Sequence, residues 1–142
     1  MKNINHLTVI GVMSGTSLDG LDIVKCQFLK TKKWQYKIEK GETIKYSKKW
    51  KKTLSNLHLK SKKEINKINI EYGRLIGNEI NKFISDKNSK IDLIASHGHT
   101  IFHEPEKNIT LQIGDGQAIS NITKSTTVSN FRELDVSLNG QG

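Results

Sequence analysis

The stretch GVMSGTSLDGLD, Gly11–Asp22, joins two apolar runs, LTVIGV (Leu7–Val12) and LDIVKCQF (Leu21–Phe28). Both runs read as strands, so the polar residues between them read as a strand-to-strand loop. Gly15 and Gly20 predict a turn of positive φ and a backbone that a ligand can approach. The hydroxyls of Ser14, Thr16 and Ser17, with neighbouring N–H groups, suit phosphate oxygens. Asp19 and Asp22 suit Mg²⁺ held through water. The loop is not a Walker loop, because no lysine is placed to reach a phosphate. It is not a nucleophile elbow, because two residues separate Gly11 from Ser14. It is not a dinucleotide fingerprint, because no helix follows it. The plain alternative is a solvated hairpin. Counted as eight residues, the loop is longer than the usual ~2–5 of a hairpin. On these residues alone the two readings stand level.

Outward from this loop, KWQYKIEKGETIKY places Trp34, Tyr36 and Ile38 on one face and predicts a third strand kinked at Gly41. Three strands with short polar links make a meander. The period then changes. Trp50, Leu54 and Leu57 fall at helical spacing after Ser47, a candidate N-cap. From Ser61 to Lys87 one stripe collects Ile65, Ile68, Tyr72, Leu75, Ile76, Ile80, Phe83 and Ile84, behind a Ser61–Glu64 capping-box spacing. Gly73 and Gly77 on this helix predict close packing against the sheet. IDLIASHGHTIFHEP reads as a buried strand that runs into a polar loop closed by Pro105. NITLQIGDGQAISNITK reads as a strand, a turn and a helix starting near Asp115, and STTVSNFRELDVSLNGQG as a last strand and a loop. The sum is an α/β layer fold with a mixed sheet: a β-meander, helices, then β-α-β.

At 142 residues the chain has single-domain length. No apolar run approaches the ~20 residues that span a bilayer, and the first residues do not read as a cleaved leader. One cysteine, Cys26, excludes an internal disulfide and fits a reducing cytoplasm. The net charge of +9 raises the question of nucleic acid. Of 23 basic residues, however, only Arg74 and Arg132 are arginine. Readers of bases and phosphates lean on arginine's planar fork, so no nucleic-acid partner is expected.

Three further motifs carry chemistry. SHGHTIFH holds His97, His99 and His103, and strand alternation predicts His97 and His99 on one side. Zinc would want tighter convergence, so no metal site is expected, and His97 is read as a substrate contact with Gly98 beside it. In QIGDGQA, Asp115 is either an N-cap or, with Gly116 and the helix N-terminus, a grip for an anion or a sugar hydroxyl. In NFRELDVSLNGQG, Arg132 and Asp135 are either a simple ion pair or a base beside a ligand at a strand's end.

Four of these stretches, GVMSGTSLDGLD, ASHGHTIFHEP, TLQIGDGQAIS and FRELDVSLNGQG, occur together and in this order in one family. The chain resembles the anhydro-N-acetylmuramic acid kinases, bacterial enzymes of cell-wall recycling, along almost its whole length. The resemblance implies an actin-like (RNase H-like) ATPase lobe, with ATP bound between two lobes. It implies that Gly15, Thr16, Ser17, Leu18, Asp19, Gly20, Leu21 and Asp22 face the phosphates of ATP and its Mg²⁺. It implies that His97, Gly98, Asp115, Gly116 and Arg132 contact the amino sugar. Asp135, following the Phe-Arg pair, would be the catalytic base that activates water, a role that needs an ionised carboxylate within hydrogen-bond reach. The implied reaction opens the 1,6-anhydro bridge and phosphorylates the freed 6-oxygen.

Three departures accompany the resemblance. Ser129-Asn130 precedes Phe131 where the family has Gly-Asp, His99 replaces a frequent Gln, and Asn139 stands in a turn where the family has Gly. The last predicts strain, because the turn wants positive φ. Family members are also more than twice as long. Residues 1–142 therefore read as the first lobe alone, the adenosine-binding second lobe being absent. The chain is then a kinase lobe completed by a second polypeptide or a second copy, or a lobe that keeps only sugar or partner binding. Such a lobe should expose apolar groups and self-associate.

Overall fold

The computed structural model describes residues 5–84 and 89–142. The first four residues and Ser85–Lys87, the last part of the long helical stretch, lie outside the described residues. Strands β1 (His6–Ser14), β2 (Gly20–Lys30) and β3 (Trp34–Lys45) form an antiparallel meander. Helix α1 (Lys48–Ser55) starts at Ser47, whose hydroxyl accepts the Trp50 N–H at 3.2 Å. Helix α2 (Lys62–Ile84) starts on a capping box: Ser61 Oγ accepts the Glu64 N–H at 3.3 Å, and Glu64 Oε2 accepts the Ser61 N–H at 3.0 Å. The Ser61 hydrogen bonds, with Lys60 beside them, hold the Glu64 carboxyl at about 2. Then follow β4 (Leu93–Glu104), β5 (Ile109–Ile113), α3 (Gly116–Thr123), β6 (Thr127–Val128) and α4 (Phe131–Ser137).

The sheet order is β3-β2-β1-β4-β5, with β6 also on β4. β4 runs parallel to β1 and β6 and antiparallel to β5. This mixed sheet, with its helices, agrees with the actin-like lobe that the family resemblance implies. The core forms on one face of the sheet. Ile10, Val12, Leu21, Ile23 and Ile94 meet the α2 stripe of Tyr72, Ile76, Ile80 and Phe83 there. The opposite face is open along β2 and β3, where Trp34, Tyr36 and Ile38 are 53%, 72% and 60% exposed. A shallow trough of about 560 Å³ crosses this face over Gly11, Met13, Asp22, Val24, Gly41 and Thr43.

The structure corrects five local expectations. The β2–β3 irregularity is at Glu39, because Ile38 opposes Cys26 while Lys40 opposes Lys25; Gly41 stays in register with Val24. The extra residue aims Lys40 at the end of α2, where its ammonium donates to the Phe83 carbonyl at 3.1 Å and lies 4.3 Å from the Phe83 ring centre. Gly73 and Gly77 serve a helix–helix contact. A Cβ at Gly73 would lie 2.6 Å from the Asp115 carbonyl oxygen, and one at Gly77 would lie 3.0 Å from the Ile122 Cβ. The stretch after Ser96 continues as strand to Glu104, because its backbone pairs with β5. The chain after β6 forms α4, a helix with one buried residue, Val136, and so without a readable stripe. The loop between β1 and β2 is five residues, Gly15–Asp19, since Gly20–Asp22 pair with β3. Its length is ordinary for a hairpin, so length no longer argues for function.

Two outcomes follow from this packing. Gly73→Ala lowers the urea midpoint: an overpacked contact costs about 1–3 kcal/mol, against about 1 kcal/mol that alanine gains over glycine inside a helix. A raised midpoint would mean that α2 and α3 do not approach this closely. Light scattering of the chain is expected to show association that grows with concentration and is reduced when Trp34 and Ile38 are replaced by Ser; a monomer at all concentrations would contradict an adhesive open face.

Candidate functional site

The β1–β2 loop is held at its foot. Leu18, with φ 58, is the residue in the left-handed region, and neither Gly15 nor Gly20 is. That conformation costs a leucine about 1–2 kcal/mol. Packing Leu18 against the core offsets a comparable amount. Gly20 is needed for space instead: a Cβ there would lie 2.6 Å from the Ile44 carbonyl oxygen. At Gly15 the nearest atom to an added Cβ is Ser17 Oγ at 3.5 Å, so the backbone there is open to approach. Thr16, Ser17 and Asp19 are exposed at the tip. Asp22 lies on the open sheet face, its Oδ1 accepting from Thr43 Oγ1 at 2.5 Å. Leu21 points into the core. Ser14 does not join the loop's hydroxyls; its Oγ is turned inward and buried.

Beneath the loop, β4 breaks step. Val12 pairs with Ser96 but Ser14 pairs with His99, so β4 carries one extra residue around Gly98, whose φ is +72. A side chain at Gly98 would collide with the Ile113 carbonyl. On the edge away from β1, β4 pairs with β6 before this point and with β5 after it. The break also sends the two histidines apart, against the expectation of a shared side. His99 is buried, 3.0 Å from Ser14 Oγ and edge-on to Tyr72. His97 leans on Phe131, with ring centres 6.1 Å apart, and its Nδ1 is 3.0 Å from the Gly98 carbonyl. Tyr46 Oη donates to Ser14 Oγ at 2.7 Å and meets Tyr72 Oη at 2.5 Å. Burial raises both phenols and, together with nearby His97, lowers the His99 imidazole.

The end of β5 reaches the same point. Gly114 lies 3.4 Å from the Gly98 Cα, measured from an added Cβ, and its N–H donates to Asn69 Oδ1 at 2.7 Å. Asp115 caps α3, its Oδ1 accepting the Ala118 N–H at 2.7 Å. Gly116 packs closely on Ser129. Thus the β1 end, Gly98 and the α3 entry meet at one place, where an α/β sheet collects ligands.

Arg132 and Asp135 lie on α4 to one side. They form no ion pair: Arg132 donates to Thr100 Oγ1 at 3.2 Å and its Nη2 lies 2.8 Å from His103 Nε2. The exposed Asp135 carboxylate accepts the Gly142 N–H at 2.7 Å through Oδ2, and any side chain at Gly140 would overlap it. Asn139 takes φ 64, the positive value its turn requires, which asparagine tolerates better than other side chains. Asn130 enters α4 at φ 59. The His97–Phe131 contact and the Arg132–Thr100 hydrogen bond link α4 with the part of β4 around Gly98. Among the described residues no three His, Cys, Asp or Glu side chains converge as a metal site.

Set beside known proteins, residues 7–142 match the family model for anhydro-N-acetylmuramic acid kinase. The chain belongs to the anhydro-N-acetylmuramic acid kinase family. It is 34% identical to the kinase of that name from Pseudoalteromonas translucida over 94% of this chain and 37% of that protein. It is 37% identical to the one from Acinetobacter baylyi over 94% of this chain and 36% of that protein. For Xanthomonas oryzae pv. oryzae the figures are 31% identity, 100% and 40%. The chain therefore spans well under half the length of the curated relatives it matches. No helix among the described residues is long and apolar enough to cross a membrane.

In this kinase-family lobe, sequence reasoning missed Asn69, Tyr46 and the inward turn of Ser14. The available signal was a tyrosine, Tyr72, in a stripe of Ile and Leu, because a buried phenol needs a partner. The buried His99 fixes a pH dependence. A histidine lowered in the folded state binds its proton mainly when unfolded, so its contribution is complete above the ordinary histidine range and is lost as pH falls. The expected outcome is a urea midpoint that drops between about pH 7.5 and about pH 5.5, with a smaller drop in His99→Gln. An equal drop in the variant would remove His99 as its source.

Proposed function

We propose that this chain carries the phosphate-facing and sugar-facing part of an ATP-dependent kinase for 1,6-anhydro-N-acetylmuramic acid, working in the cytoplasm. The observation that carries the reading is the meeting of the β1–β2 loop, Gly98 and Gly114–Gly116 at one point of the sheet, in a chain of this family. The loop's backbone N–H groups other than that of Leu18, which donates to the Gly15 carbonyl, and the exposed hydroxyls of Thr16 and Ser17 hold phosphate oxygens, with Gly15 leaving room for their approach. Asp19 and Asp22 suit a Mg²⁺ that keeps most of its shell as water and phosphate. ATP supplies the phosphoryl group. His97, Asp115, Gly116 and Arg132 orient the sugar. Asp135 accepts the proton of a water that attacks the anomeric carbon; its Oδ1 is free for this while Oδ2 stays on Gly142. The anhydro C–O bond breaks, and the freed 6-oxygen takes the γ-phosphate to give N-acetylmuramate 6-phosphate and ADP.

A second reading is a lobe that binds the sugar or a partner without turnover. The two separate in a coupled ADP-release assay with the anhydro sugar. The chain is tested alone and with a polypeptide matching the rest of a relative. Turnover is expected from the pair, falling about 10²–10⁴-fold in Asp135→Asn, the usual weight of a general base. No turnover from the pair, with saturable sugar binding to the chain, establishes the second reading. Full activity of Asp135→Asn removes the base assignment.

A further inference from the structure

The hydroxyls under the loop form a chain with one direction. Tyr46 Oη donates to Ser14 Oγ at 2.7 Å, so its oxygen, 2.5 Å from Tyr72 Oη, accepts from Tyr72. Ser14 then has its own proton for His99 Nδ1 at 3.0 Å. The order Tyr72, Tyr46, Ser14, His99 satisfies each hydroxyl once and ends on an unprotonated ring nitrogen. It does not run backwards at no cost. A His99 that donates from Nδ1 pushes the hydroxyl protons toward Tyr72, whose side chain is 0% exposed, and leaves a donor buried without a partner. Ser14 is also the last residue of β1, joined directly to Gly15, and His99 is the first residue past the Gly98 break.

We propose that His99 is a positioning residue for the β1–β2 loop: as a neutral acceptor from Ser14 it pins the loop's first residue to the Gly98 break, and as a protonated ring it releases that pin. This assignment rests on the geometry of the cluster, and its bearing on catalysis rests on the phosphate role proposed above for the loop. The His99 ring meets Ser14 of β1 and Tyr72 of α2, its backbone pairs with Ile113 of β5, Tyr46 reaches it through Ser14, and His97 on its own strand acts on its charge. Tyr46 and Tyr72 stay protonated while His99 titrates, because burial raises both. Burial of the His99 ring likewise favours its neutral form.

The test is nitrogen-detected NMR of the labelled full chain from about pH 8 to about pH 5, the interval of histidine titration. The expected result has three parts. The His99 ring carries its proton on Nε2 at neutral pH. The amides of Gly15–Gly20 move with the same midpoint as His99. In His99→Gln, and separately in Ser14→Ala, those amides no longer move with pH while the amides of Ile10 and Ile76 keep their native positions. A neutral ring protonated on Nδ1 overturns the proposal, and so do loop amides that follow His97 or do not titrate. The first two measurements decide the matter on the unaltered chain even where a variant fails to fold. Addition of MgATP at neutral pH to the chain paired with the polypeptide that matches the rest of a relative is read on the same amides. No response there, with the His99 coupling present, removes the phosphate reading and leaves His99 as the pin of the loop.

Discussion

The structure depends on one backbone constraint, the left-handed turn at Gly98 in the middle of β4. With φ +72 and the Ile113 carbonyl where a side chain would be, that position admits glycine alone. One extra residue there moves β4 out of step with β1 and frees its outer edge, so that β6 hands over to β5. The hand-over brings the C-terminal ends of β1 and β5 to the same residue, His99. It also turns His97 and His99 into different surroundings, one against α4 and one into the core. A regular strand would have kept both on one face and left the two strand ends apart.

Polar groups cluster on the buried side of this break, where an apolar core would be simpler. A buried hydroxyl without a partner costs about 1–3 kcal/mol, so such a cluster is tolerable only when complete. Ser14, Tyr46, Tyr72 and His99 complete one another. Ser96, next to the break, is buried and has no partner for its Oγ among the described side chains. The α3 entry is anchored in the same style, by Asn69 from α2 on Gly114 and by Asp115 on Ala118. The floor beneath the candidate site is thus hydrogen-bonded, while the loop tip above it is exposed.

Much of this was legible. The capping box at Ser61, the Ser47 cap and the apolar stripe of α2 have periods and end signals that depend only on local chemistry, and the structure keeps them. The meander and the later β-α-β order were readable for the same reason. The misreadings share a different cause. Whether Gly20 or Leu18 takes the positive φ, whether Gly77 meets a sheet or Ile122, and where β3 inserts its extra residue are all decided by a partner distant in sequence. The polar SHGHTIFH reads as a loop by composition, yet pairing with β5 makes it strand. Helix α4 buries only Val136 and so leaves no periodic trace. At the candidate site, the motif residues around Gly98 and Asp115 do come together. Arg132 and Asp135 are neighbours in sequence that take separate partners.

The lysines that first raised the question of nucleic acid have another role in the fold. β3 is the longer of the two rim strands, twelve residues against five in β5, and its outer backbone pairs with no strand among the described residues. Such a rim is a template for endless addition of further strands. Lys37, Glu39, Lys40, Glu42 and Lys45 line it with charges of both signs, and the insertion at Glu39 spoils its regular spacing. Growth along the rim is therefore blocked, while the apolar face beside it stays adhesive. A face can be covered once, whereas a rim can be extended without limit. The placement of charge on β3 thus favours closed, discrete assemblies over fibres.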